Sequence, residues 1–140
     1  MTGEVHLFVY GTLRSGGGAA GLLRGCRLAG PGIVAGTLYD LGDYPALVLA
    51  GSGPVEGEVW RCPAYALARL DEYEGVAEGL FERVEVEAAG ARCWTYVAGP
   101  LLAPRLTPER RIAAGRWPPG AERGRQERRG GTQPGAAPLA

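Results

Sequence analysis

Leu70-Asp71-Glu72-Tyr73-Glu74-Gly75 closes the principal helical segment of this chain and puts a carboxylate on its apolar side. At about 100° of rotation per residue, Glu74 falls between Leu67 and Leu70, whereas Glu72 points roughly the opposite way. Glu74 is therefore expected to look inward, with Gly75 stopping the helix directly after it. A carboxylate at the buried end of a helix is a candidate general base, because desolvation raises its pKa. Helix geometry alone leaves open a plainer role, that of a terminal glutamate reaching solvent as the last turn frays.

Upstream of this segment, Pro63 suits the first helical position, where its missing N–H costs no hydrogen bond, and Ala64, Leu67 and Leu70 form the inward face. Before it come short apolar runs that read as strands: Val5 to Val9, Gly32 to Tyr39, Ala46 to Leu49 and Val55 to Trp60. A short helical piece is expected around Ala19 to Arg24. Gly42-Asp43-Tyr44-Pro45 and Gly51-Ser52-Gly53-Pro54 have turn compositions, and the spacings fit antiparallel neighbours. Downstream, Phe81 to Glu87 alternates, with Leu80, Val84 and Val86 on one side and Phe81, Arg83 and Glu85 on the other, so one face is largely polar. Arg92 to Val97 is the last strand, joined to its predecessor through a hairpin at Ala88-Ala89-Gly90-Ala91. Thr107-Pro108-Glu109 is expected to cap a final short helix through Ile112-Ala113, and Trp117 is the last residue able to dock on a core. One principal helix among mostly antiparallel strands, without internal repeats, predicts a small barrel-like α+β domain.

Composition narrows the chemistry by exclusion. All fifteen basic residues are Arg, which removes Schiff-base lysines and a P-loop lysine. The single His, His6, lies in the first apolar strand and reads as a packed strand residue. Cys26, Cys62 and Cys93 lack CxxC spacing, which argues against a zinc knuckle or a disulfide framework and suits a reducing cytoplasm. A thiol nucleophile needs an activating partner, and only His6 offers an imidazole. With one His and scattered acids, no metal site is legible and no cofactor is implied. The start Met1-Thr2-Gly3-Glu4 has no basic region and no apolar run approaches ~20 residues, so neither a signal peptide nor a membrane span is expected. A cytoplasmic location follows from these readings.

Charge balances to zero but is unevenly placed. Residues 1 to 104 hold seven Arg and twelve acids, a net of minus five, whereas residues 105 to 140 hold eight Arg and three acids, a net of plus five. The acidic body argues against nucleic-acid binding. From Pro118 onward the chain is rich in Gly, Pro, Ala and Arg, a composition that cannot bury enough apolar surface to fold. The expected organisation is thus a domain over residues 1–117 and a disordered tail over 118–140. The tail's Arg123, Arg125, Arg128 and Arg129 read mainly as solvated charge, with no partner identified.

Four elements taken in order, Tyr10-Gly11-Thr12-Leu13 after the first strand, Leu41-Gly42-Asp43-Tyr44-Pro45-Ala46-Leu47-Val48, Leu70-Asp71-Glu72-Tyr73-Glu74-Gly75, and Phe81-Glu82-Arg83, resemble the gamma-glutamyl cyclotransferase-like family. That family includes gamma-glutamylamine cyclotransferases and avirulence-induced plant proteins. The resemblance spans roughly residues 5 to 117, since Ala114-Gly115-Arg116-Trp117 is similar to a Ser-Gly-Asp-Trp ending; here Ala114 and Arg116 replace the Ser and the Asp, and the Arg-rich tail has no counterpart. It implies a small, mixed, mostly antiparallel β-barrel with flanking helices. It also implies that Glu74 is the acid of the cavity and that Tyr10, Gly11, Thr12 and Leu13 hold a gamma-glutamyl group.

The implied reaction is intramolecular: the alpha-amine of a gamma-glutamyl amine or amino acid attacks its own gamma-amide carbonyl, releasing 5-oxoproline and a free amine. Glu74 would move the proton, and the backbone N–H groups of Gly11 to Leu13 would bind the alpha-carboxylate or the oxyanion. Tyr10 and Tyr96 are candidate hydrogen-bond donors in the cavity, equally readable as core residues with satisfied hydroxyls. Arg83 is expected to pair with an acid and fix its strand, Tyr44-Pro45 to shape a turn at the pocket rim, and Asp71 and Glu72 to be solvated helix charges. A second reading, from a different class, is a non-catalytic small-molecule-binding or interaction domain of the same fold with a basic tail.

Overall fold

The computed structural model describes residues 3–11 and 20–118. Its strands are β1 (Glu4–Val9), β2 (Arg27–Ala35), β3 (Thr37–Asp40), β4 (Pro45–Val48), β5 (Pro54–Pro63), β6 (Phe81–Ala88) and β7 (Ala91–Ala98), and its helix α1 is Ala66–Tyr73. Five strands form one sheet in the order β2-β5-β1-β7-β6, while β3 and β4 make a separate hairpin. β1 runs antiparallel to β5 and parallel to β7, meeting it at Leu7 and Trp94. The other pairs are antiparallel. The mixed, mostly antiparallel α+β class is therefore present.

β1 occupies the middle of the sheet, and Leu7, Phe8 and Val9 are all buried in succession. Such a run, without alternation, belongs to a strand covered on both faces. The barrel, however, is not closed. Edge strands β2 and β6 curl towards each other, so that a Cβ built on Gly32 would lie 3.5 Å from that of Ala88, yet no ladder joins them. β2 carries Pro31, which has no N–H to offer, and a register shift between Leu28 and Gly30; both interrupt a regular ladder at an edge.

Several boundaries differ from the expected ones. The run from Gly32 to Tyr39 is two strands, because at Gly36 the chain leaves β5 and approaches the Val48 carbonyl oxygen so closely that a Cβ would stand 2.7 Å from it. Pro63 ends β5 opposite Glu4 rather than opening the helix, which begins at Ala66. The segment near Ala19 to Arg24 is a single 3-10 turn over Ala20–Leu23. The C-terminal helix shrinks to the 3-10 turn Pro108–Arg110, and Thr107 makes no side-chain cap bond. Phe81 departs from its polar neighbours: it is fully buried and meets Tyr44 edge-on, with centroids 6.1 Å apart. The hairpin between β6 and β7 turns on Ala89 and Gly90, both with positive φ (54° and 75°), as a two-residue turn of the favoured hand requires.

Trp117 docks as expected and is 7% exposed. The ending Ala114 to Trp117 lies along the start of β5, where Glu56 N–H donates to the Gly115 carbonyl at 2.7 Å. Arg116 reaches Glu56 at 3.9 Å on the surface. The replaced Ser and Asp thus do not prevent docking of the ending. Of the expected tail, only Pro118 belongs to the described residues.

Candidate active site

Glu74 is the one charged side chain fully buried among the described residues. It caps α1, its N–H donating to the Leu70 carbonyl at 2.8 Å. Gly75 then takes φ +68°, a region that side chains disfavour, and turns the chain so that Leu80 N–H reaches the Gly75 carbonyl at 3.1 Å. The helix therefore stops where its inward face still carries Glu74. The phase read from Leu67 and Leu70 is realised, since both are buried with it.

Tyr10 leaves the end of β1 beside this carboxyl. Burial first, and then the charge of Glu74, push its phenol well above the ordinary range, while a backbone hydrogen bond from Leu47 opposes them. Its O–H donates to the Tyr96 carbonyl at 2.6 Å, and its oxygen accepts from Leu47 N–H at 3.1 Å. Tyr96 is raised by burial, by its bond to Asp71 and by the charges of Asp71 and Glu74, with Arg83 opposing. Both phenols thus stay protonated through neutral and mildly alkaline pH. Tyr73 is likewise raised, by burial and then by Glu74. Positions 10, 74 and 96 are brought together from β1, the end of α1 and β7. Gly11, also buried, follows Tyr10 directly; Thr12 and Leu13 lie outside the described residues.

The donors of both tyrosines are already directed at the protein, because a phenol has a single O–H. Tyr96 donates to Asp71 Oδ1 at 2.7 Å. Asp71 also takes a bidentate pair from Arg83, Nε to Oδ1 at 2.7 Å and Nη2 to Oδ2 at 3.1 Å. Each partner is only 26% exposed, and the guanidinium stacks on Trp94 at 4.5 Å. Asp71 is therefore not the solvated helix charge expected from sequence, whereas Arg83 does fix its strand through an acid. A signal existed, since Asp71 precedes Glu74 by three residues and so shares its side of the helix. Glu72 is exposed, as expected.

Tyr44 is buried, and its hydroxyl accepts from Arg105 Nη1 at 3.2 Å. Arg105, which the sequence reading passed over, also donates to the Leu41 carbonyl at 2.8 Å and so ties the turn before β4. A groove of about 500 Å³, lined by Asp40, Gly42, Glu109, Arg110 and Arg111 among others, shares no lining residue with Tyr10, Glu74 or Tyr96.

One result can be anticipated from the tyrosine geometry. Tyr10→Phe removes a hydroxyl bonded to two backbone positions, Leu47 N–H and the Tyr96 carbonyl, and should destabilise the fold by about 1–3 kcal/mol in urea unfolding. An unchanged urea midpoint would mean that neither bond contributes.

The described residues form a curled α+β sheet with one α-helix that ends on a buried glutamate. The chain belongs to the gamma-glutamyl cyclotransferase, AIG2-like family, whose model matches residues 7–119. It is similar to the gamma-glutamylcyclotransferase family protein YtfP of Escherichia coli K12, with 34% identity over 94 residues, covering 66% of this chain and 81% of that one. The solution NMR structure of YtfP from Escherichia coli superposes with a TM-score of 0.63 at 32% identity, covering 81% of this chain and 96% of that one. A gamma-L-glutamyl-butirosin B gamma-glutamyl cyclotransferase of Niallia circulans is 37% identical over 103 residues, covering 66% of this chain and 65% of that one. Among the described residues, no helix is long and apolar enough to cross a membrane.

Proposed function

We propose that the protein converts a gamma-glutamyl amine or gamma-glutamyl amino acid to 5-oxoproline and the free amine, with Glu74 as general acid and base. The observation that carries this reading is the complete burial of Glu74 at the end of α1, within the electrostatic reach of Tyr10 and Tyr96. The substrate's alpha-ammonium, with a pKa of roughly 8 in model compounds, must lose a proton before it can attack. An ordinary glutamate near ~4.3 is a weak base for that step, and complete burial of a carboxyl is the environment that disfavours its charged form. Glu74 takes the proton, the amine closes the five-membered ring, and the same carboxyl returns the proton to the departing amine. By the family resemblance, the backbone N–H groups of Gly11 to Leu13 are assigned to the alpha-carboxylate or to the tetrahedral oxyanion. Holding the substrate folded supplies several kcal/mol without further chemistry. The name of the Niallia circulans relative supports a gamma-glutamyl amide as the bond cleaved. A cytoplasmic setting accords with such a small metabolite as substrate.

Incubation with a panel of gamma-glutamyl amines and amino acids should yield 5-oxoproline, measured by mass spectrometry, with one equivalent of amine. The rate should persist after dialysis against chelators, because the chain has a single His, placed in β1, and the steps above use only Glu74 and backbone donors. Reversible loss restored by one metal would refute that account, and a folded protein yielding no 5-oxoproline from any member would leave the binding-domain reading. A chain ending at Pro118 should keep its rate on small substrates, as Trp117 already docks the domain's end. If the shortened protein folds but turns over slowly, the tail takes part in the site.

A further inference from the structure

Arg27 pairs with Arg61, and Leu28 with Trp60, in the antiparallel register of β2 and β5. One step further along that register, Cys26 stands opposite Cys62, before the shift at Leu28 and Gly30 can displace them. Both thiols are free, Cys62 buried and Cys26 half-buried. Directly opposed antiparallel residues present their side chains on one face with Cβ atoms about 4.5–5.5 Å apart, and a disulfide requires about 3.5–4.5 Å. The remaining approach is small, and Cys26 lies just outside β2 after a tight turn, where Cys26 N–H donates to the Leu23 carbonyl at 2.8 Å.

We propose that Cys26 and Cys62 are a redox-active pair that a low-molecular-weight disulfide, such as oxidised glutathione, converts into an intramolecular disulfide joining β2 to β5. Cys26, the more accessible thiol, attacks one sulfur of the reagent as thiolate. The reagent's S–S bond breaks, one reduced thiol leaves with the electron pair and takes up a proton, and Cys26 carries the mixed disulfide. Cys62 then loses its proton, attacks the Cys26 sulfur and expels the second reduced thiol. Two electrons pass from the protein's thiols to the reagent, and the two S–H protons end on the released thiols. Burial pushes the Cys62 thiol up, Cys26 and Glu4 raise it further and Arg69 opposes them, which fits Cys62 as the second, resolving group.

The strap would close beside the helix that carries Glu74. Arg69 of α1 donates to the Leu22 carbonyl at 3.0 Å and the Arg24 carbonyl at 3.2 Å, so the segment leading into Cys26 already braces α1. Cys93 is a built-in control, because its register partner is Val86 and its thiol faces the Ala88 and Ala91 carbonyls.

Native protein treated with oxidised glutathione, alkylated and digested with trypsin should yield Gly25–Arg27 joined to Cys62–Arg69, with Cys93 alkylated. The intact mass should fall by about 2 Da, the two hydrogens lost on forming one disulfide. Cys62→Ser should stop at the glutathione adduct on Cys26, and Cys93→Ser should still form the link. Wild-type protein that retains the adduct on Cys26, joins Cys93 instead, or leaves all three thiols open to alkylation would overturn the proposal.

Discussion

Glu74→Gln is expected to lower kcat at least ~100-fold while KM changes little, the loss typical of removing a positioned general acid and base. The substitution is nearly isosteric and the side chain is wholly buried, so the thermal midpoint should move far less than the rate. Glu74 stands alone as a buried charge in the described core, and α1 offers no second carboxylate that is fully buried. The acidic limb of the pH–rate profile should disappear with it. Glu72→Gln is the matched control: two residues before Glu74 and exposed, it should leave both constants near wild type. Near wild-type turnover in Glu74→Gln would remove Glu74 from the mechanism, whatever its burial.

The second large effect is expected at Asp71. Its carboxylate holds the Arg83 guanidinium bidentately and accepts the Tyr96 hydroxyl, so Asp71→Ala strands a half-buried cation and a phenol at once. Because each charged partner remains 26% exposed, the penalty is smaller than for a fully buried pair, about 2 kcal/mol after allowing for solvent screening. That is several degrees in thermal midpoint for a domain of this size. Turnover should also fall, by about tenfold, since Tyr96 and the last turn of α1 would lose their shared anchor. The Asp71→Ala/Arg83→Ala double variant should be less destabilised than the two single losses added together, as both remove the same interaction. Strict additivity would show that the pair contributes nothing beyond the separate side chains. Asp71→Asn keeps an oxygen for Tyr96 and should recover part of the rate, while the ion pair with Arg83 stays lost.

The legible parts of this protein are those governed by neighbours in sequence. Helical phase alone turned Glu74 inward between Leu67 and Leu70, and apolar runs bounded by turn residues marked six strand segments, one of which, Gly32 to Tyr39, the structure divides between β2 and β3. At Pro63 and Phe81 the expectation failed because of a distant partner. Pro63 reads as a helix start, yet pairing with Glu4 draws it into β5; Phe81 reads as one of a polar face, yet Tyr44 buries it. Asp71 carries no mark of its partners, because Arg83 and Tyr96 lie 12 and 25 residues away.

Closure of the barrel was likewise beyond the sequence, since it depends on whether two edge strands meet in register after five strands have accumulated their twist. Pro31 and the shift beside it leave β2 and β6 close but unpaired. The sequence by itself determined the strand-rich α+β class, the inward acid and the glycine that ends its helix, because these follow from backbone preferences and period. Only the tertiary structure decided that Tyr10 and Tyr96 join Glu74, that Asp71 is anchored by Arg83, and that Cys26 faces Cys62, because strand register and the placement of α1 against the sheet bring together residues far apart in the chain.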